Sequence, residues 1–289
     1  MRTRTAALAS LAFIAIVWGY NWVVLKQAIS RTAPFEFFAW RFVVASVCLF
    51  GALALRGRPL RLRHGPQVLV IGLLQTTATF ALVGLALVAG AAGKSAVLNY
   101  TMPFWVVLLA WPVLGERPSP AQWSAIALAL AGLLLLVQPG ARPGASELLA
   151  LASGIAWGVG VVFTKRLQMR ERVDTLSLSA WQTLLGGAGL VVLALAFPAP
   201  RLEWTPFLVF AVLYNGVLVA AVCWFLWFWI LQRLDAGLAS LGILSVTVLG
   251  TLFGVTLLGE RLSTVEWSGI ALIVGALALS GLAARRKTA

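Results

Sequence analysis

Leu114-Gly115-Glu116-Arg117-Pro118-Ser119-Pro120-Ala121-Gln122-Trp123-Ser124-Ala125-Ile126-Ala127-Leu128 returns later in the chain as Leu258-Gly259-Glu260-Arg261-Leu262-Ser263-Thr264-Val265-Glu266-Trp267-Ser268-Gly269-Ile270-Ala271-Leu272, with ten of fifteen positions identical. A second match pairs Trp18-Gly19 with Trp157-Gly158 and Lys26 with Lys165. Chance does not produce two such matches at nearly the same offset, so the chain is a tandem duplication, residues 1–140 and 145–289. In each copy the repeated glycine suits the left-handed position that ends a helix. Ser119-x-x-Gln122 and Ser263-x-x-Glu266 then read as capping boxes that open the next one, with Pro120 at a tolerated first position. The reading adopted is a helical hairpin, with a substrate or gating role for Glu116 and Glu260 as its alternative.

What lies between the motifs is apolar. Of 289 residues, 61% are hydrophobic and 11% charged, and the mean hydropathy is +0.95; soluble domains carry roughly 25% charged residues. The charges leave ten long charge-free stretches. Nine can cross a bilayer core, which takes about 20 residues of helix. The tenth, Phe42–Leu55, is completed by moving its start back to Phe35, with Arg41 expected to snorkel from near the helix end to the interface. The expected fold is all-α, ten membrane-spanning helices around a central cavity. Five helices per copy is an odd number, so the second copy enters the membrane from the opposite side: an inverted-topology repeat, the architecture of alternating access.

The net charge of +13 is topological. With the N-terminus inside, 15 of the 22 Lys and Arg fall on the cytoplasmic side, which places both termini in the cytoplasm and argues against nucleic acid as a partner. The first apolar run, with Trp18, Asn21 and Trp22, exceeds a signal-peptide core and reads as a retained helix. Cys48, Cys223 and the single His64 imply no disulfide framework and no metal. Gly93-Lys94-Ser95 lacks the first glycine of a phosphate-binding loop, Val88 standing there instead, so no nucleotide cofactor is expected. An intramembrane enzyme would need a Ser–His, paired-Asp or metal constellation, and His64 has no such partner.

Two five-helix halves, each with a Trp-Gly motif in its first helix and a Leu-Gly-Glu-Arg motif between its fourth and fifth, resemble the EamA-type drug/metabolite transporters. The whole sequence is most similar to their YddG-type bacterial exporters. That resemblance implies a basket of ten helices in the bacterial inner membrane, a cavity lined by helices 1, 3, 4, 6, 8 and 9, and export of aromatic amino acids, methionine and threonine. It does not fix the substrate; an ion-coupled exporter of drug-like or other small metabolites is the alternative.

A cavity should show as polar and aromatic residues sharing one face of a helix at depths where lipid penalises them. Trp18, Asn21 and Trp22 share a stripe in helix 1, as do Ser153, Trp157, Gly160 and Thr164 in helix 6. Gln75 and Thr79 in helix 3, Asn99 and Tyr100 in helix 4, Tyr214 and Asn215 in helix 8, and Ser240 in helix 9 complete the candidate substrate-binding set. Pro103, Gly154, Gly158, Gly250 and Gly254 are candidate kink or gating positions. Each has a plain alternative: the amides as interhelical hydrogen-bond glue, the glycines as close-packing sites. Trp22, Trp40, Trp181 and Trp204 read as interfacial or packing residues. With few buried charges expected, amide, hydroxyl and aromatic groups favour a neutral zwitterion over a dianion. All nine acidic residues lie outside the charge-free stretches, Glu36 being the nearest proton carrier, so transport is expected to be facilitative. The oligomeric state has no signal in the sequence.

Overall fold

The computed structural model describes residues 2–89, 97–137, 144–197, 202–258 and 263–286. Ten helical rods run through them: α1 Arg2–Ile29, α2 Pro34–Leu55, α3 65–89, α4 Val97–Leu114, α5 Pro120–Val137, α6 Ala145–Arg170, α7 Thr175–Ala196, α8 Pro206–Leu231, α9 Ala236–Leu258 and α10 Thr264–Arg286. Eight are long and apolar enough to span a bilayer; α5 and α10 contain shorter apolar segments, 120–135 and 267–279. The chain is an all-α, multi-spanning membrane protein. Its outer face carries Val47, Val192 and Leu195, each more than 60% exposed, as lipid contact permits.

Local chemistry sets the helix ends. Pro34 and Pro206 open α2 and α8 at positions where the missing N–H costs nothing. Asp174 caps α7 by accepting from the Ser177 amide at 2.9 Å. At the repeated motif, Gly115 has φ 75°, its amide donates to the Trp111 carbonyl at 3.1 Å, and the Glu116 amide donates to that of Ala110 at 3.3 Å. The capping box of α5 is formed, Ser119 N donating to Gln122 Oε1 at 2.8 Å and Gln122 N to Ser119 Oγ at 3.3 Å. In the second copy Gly259, Glu260 and Arg261 lie outside the described residues, as does Lys94 of the phosphate-loop look-alike.

The main packing partners are exchanged in pairs when α1–α5 are swapped for α6–α10. α1 packs on α9 and α6 on α4; α3 packs on α6 and α8 on α1; α3 packs on α7 and α8 on α2; α2–α7 and α5–α10 are their own counterparts. The Trp-Gly glycines serve this pattern. A side chain at Gly19 would press on Leu249 and Gly250 of α9, and one at Gly158 would stand 2.9 Å from Trp105 of α4. Gly154 abuts the Asn99 carbonyl and Gly250 meets Trp22, while Gly254 is buried in α9.

The two halves also share a departure from α-helical geometry that no local sequence signal marks. α3 is π-helical over Leu73–Ala78, and α8 over Tyr214–Val222. A π turn shifts the hydrogen-bond register, opens the backbone and recurs at functional sites. In α3 the Thr79 hydroxyl donates across the wide turn to the Leu74 carbonyl at 2.8 Å, and Thr77 donates to the Gly186 carbonyl of α7 at 2.7 Å. α4 is interrupted at Tyr100–Thr101, just before Pro103, as the proline's missing N–H suggests.

Candidate functional site

At the seam between the halves lies a cavity of about 50 Å³ of free space, lined by Trp18, Asn21, Trp22 and Leu25 of α1, Arg41 of α2, Thr79, Phe80 and Val83 of α3, Asn99 and Tyr100 of α4, Trp157 of α6, and Val219 and Trp224 of α8. Its core is a triangle of tryptophans: ring centroids lie 5.6 Å apart for Trp18–Trp157, 5.9 Å for Trp18–Trp224 and 6.1 Å for Trp157–Trp224. Tyr100 adds a fourth ring, 6.0 Å from Trp157, and its hydroxyl accepts from Trp22 Nε1 at 3.1 Å. Trp18 Nε1 donates to the Val219 carbonyl at 3.3 Å. That carbonyl belongs to the π turn of α8, so one of the two wide turns supplies a backbone acceptor to the cage.

Six of the candidate binding residues therefore meet around one space: Trp18, Asn21, Thr79, Asn99, Tyr100 and Trp157. The others do not line it. Gln75 is fully buried and donates to Thr164 Oγ1 at 2.9 Å, joining α3 to α6. Ser153 accepts from Asn99 Nδ2 at 2.8 Å, joining α4 to α6. Tyr214 donates to the Val17 carbonyl at 2.7 Å, Asn215 donates to Ala211 of its own helix at 3.0 Å, and Ser240 is buried in α9 without a partner for its hydroxyl. No residue of α9 is among those lining the cavity, while α2, absent from the expected set, contributes Arg41.

Arg41 is the principal correction. It does not snorkel. It is 1% exposed, with its guanidinium 4.3 Å from the Phe80 ring centroid, 4.9 Å from Phe42 and 5.9 Å from Phe38. Cation–π attraction replaces part of the hydration the charge has lost, but Nε and Nη1 have no hydrogen-bond partner. Trp22, read as interfacial or packing, is also a cavity residue. By contrast Trp40 and Trp204 are 42% and 50% exposed and pair edge to face at 5.4 Å, as interfacial residues do.

The chemistry of the space is that of an aromatic cage with few polar handles. Its unpaired buried atoms are the two Arg41 nitrogens, Trp157 Nε1 and Asn21 Oδ1. No acidic side chain lines it among the described residues, and no group of three or more metal-ligating side chains occurs among them.

The cavity lies toward one end of the bundle. The α1 residues are in its C-terminal half and Arg41 is in the first third of α2. At the other end Glu116 reaches across the seam, its Oε2 accepting from the Gly237 amide at 3.4 Å at the start of α9. Lys165 Nζ donates to the Leu231 and Leu234 carbonyls at 2.6 and 2.9 Å, where α8 ends. In the first copy the motif is thus a hairpin that also ties the first half to the second.

The chain has counterparts among known proteins. A family model, that of the EamA-like transporter family, matches the chain twice, over residues 5–138 and 144–282. The chain belongs to the EamA-like transporter family. Among its relatives, the uncharacterized transporter YoaV of Bacillus subtilis is 30% identical over 91% of this chain and 90% of that protein. A probable amino-acid metabolite efflux pump of Escherichia coli is 26% identical over 96% and 94%. A solved crystal structure superposes with a TM-score of 0.82 over 99% of both chains at 24% identity, which shows the fold. This EamA-like chain is a transporter and not an enzyme, a membrane-embedded protein that handles small molecules.

Proposed function

We propose that this transporter is an alternating-access exporter of neutral, especially aromatic, amino acids, with methionine and threonine as further substrates, in the bacterial inner membrane. The observation that carries the reading is the cage of Trp18, Trp157, Trp224 and Tyr100 at the seam, where rings offer faces to an apolar side chain and a cation–π surface to an ammonium. The E. coli relative's description as a probable amino-acid metabolite efflux pump supports the substrate class. Residues 1–140 and 145–289 are taken as the two inverted repeats, with both termini cytoplasmic. The exchange symmetry of the packing supports that division.

The cavity holds only a few water molecules, each needing about 10–15 Å³ of such free space, so a phenylalanine enters by moving the rings apart. Glu116 and Lys165 fasten the end that the positive-inside count places in the cytoplasm, and the cavity leans to the other end. Transport is facilitative, since none of the described residues lining the cavity is a carboxylate that could carry a proton.

The test is counterflow. Purified protein in liposomes preloaded with unlabelled phenylalanine, tryptophan, methionine or threonine accumulates the same labelled compound without an ion gradient. Absence of exchange by folded protein overturns the amino-acid reading. Uphill accumulation driven by a pH gradient, lost in Glu36→Gln, overturns the facilitative one.

A further inference from the structure

Arg41 is a full charge that membrane insertion and burial both penalise, held where no acidic group answers it among the described residues. A guanidinium presents a planar fork of donors that matches a carboxylate, and two of its nitrogens are unpaired beside the cavity. Trp157 Nε1, a second unpaired donor, lines the same space. The aromatic rings against Arg41 hold it in place without consuming those donors, because cation–π contact uses ring faces. Among the described lining residues, the buried acceptor without a partner is a neutral amide oxygen, Asn21 Oδ1. The polarity of the site is therefore unequal: a charged, forked donor for a carboxylate, and only an uncharged acceptor and ring faces for an ammonium.

We propose that Arg41 anchors the substrate carboxylate and that the cavity selects aromatic and apolar monocarboxylates by that group, the α-ammonium being dispensable. This rests on the reading of the cage as the transport site and deepens it. A carboxylate without an amino group neutralises the buried Arg41 charge. A zwitterion leaves the net charge of the site unchanged, and an amine without a carboxylate places a second cation beside the first. The site accordingly ranks 3-phenylpropanoate with phenylalanine and rejects phenethylamine, three ligands that share one ring and differ only at the polar end.

The experiment uses the full-length protein in two formats. Binding of each ligand to purified protein is read from tryptophan fluorescence, and competition against labelled phenylalanine is read in counterflow. The expected result is that 3-phenylpropanoate competes within about tenfold of phenylalanine while phenethylamine does not compete. Arg41→Gln is expected to weaken carboxylate binding by about tenfold or more, with Arg41→Lys recovering part of the loss. Competition by phenethylamine equal to that of 3-phenylpropanoate overturns the proposal, as does unchanged phenylalanine binding in folded Arg41→Gln. Should the variants not fold, the ligand series on the unaltered protein decides alone. Binding of 3-phenylpropanoate without binding or exchange of phenylalanine leaves the carboxylate anchor standing and removes the amino-acid reading; exchange of phenylalanine with no recognition of 3-phenylpropanoate does the reverse.

Discussion

At the scale of single residues, the structure separates polar side chains that glue helices from those that face a space. Gln75 and Asn21 both sit deep among helices, yet the unpaired Gln75 oxygen lies away from the cavity while that of Asn21 is on its lining. Gln75→Leu is accordingly expected to keep normal counterflow and to lower stability by about 0.5–1.5 kcal/mol, the worth of one buried hydrogen bond; thermal denaturation in detergent measures the loss. Asn21→Leu is expected to lower counterflow with a comparably small change in stability. Equal transport by the two variants would erase the distinction. Helical periodicity pointed to Trp18, Asn21 and Trp157, because a mirrored aromatic stripe is visible in one dimension, and Tyr100 stood out as a polar ring in an apolar helix. It could not find Arg41, whose depth depends on which helices enclose α2. A cation seven residues from a helix start looks like a snorkelling one until Phe80 and Phe42 are seen around it.

At the scale of elements, the two π turns and the first Leu-Gly-Glu-Arg hairpin are where the two halves touch. The wide turn of α3 is pressed on α7 through glycines: a side chain at Gly186 would stand 2.5 Å from the Gly72 carbonyl oxygen and from Thr76. Gly186→Ala is expected to cost about 1–3 kcal/mol by overpacking, readable as a lowered thermal midpoint. Glu116 makes a contact between the halves that titrates. Burial raises its carboxyl above the usual carboxylate range and Asp235 adds to the shift, while the Ala236 and Gly237 amides and Lys165 oppose it. Because the closed arrangement binds the proton more tightly than the solvated one, this group favours closure at low pH. That contribution is lost as pH rises from the ordinary value of 4.5 through the raised one. The thermal midpoint is expected to fall across that interval in the unaltered protein, and Glu116→Gln to flatten this part of the slope. An unchanged slope would show that the Glu116 contact with α9 does not contribute to stability. Sequence reasoning saw the helix caps here, since glycine and Ser-x-x-Gln are local signals. The contact with α9 and the π turns were invisible because they depend on chain segments far away.

At the scale of the whole molecule, the duplication was legible from two short matches, and the exchange symmetry of the packing accords with it. The charge count predicts that a green fluorescent protein fused after the C-terminus is fluorescent, whereas alkaline phosphatase fused there is inactive. The opposite result would reverse the orientation and with it the meaning of export. The same interlocking packing also constrains how the protein is made. α1 finds its main neighbour in α9, and about 200 residues separate them. At roughly 5–20 residues per second of synthesis, Gly19 faces lipid or a chaperone for about 12–46 s before Leu249 arrives. A ribosome that stops after the first repeat leaves α1 without α9 and α4 without α6, so the newborn half is an incomplete object, matched only by the half still to be translated.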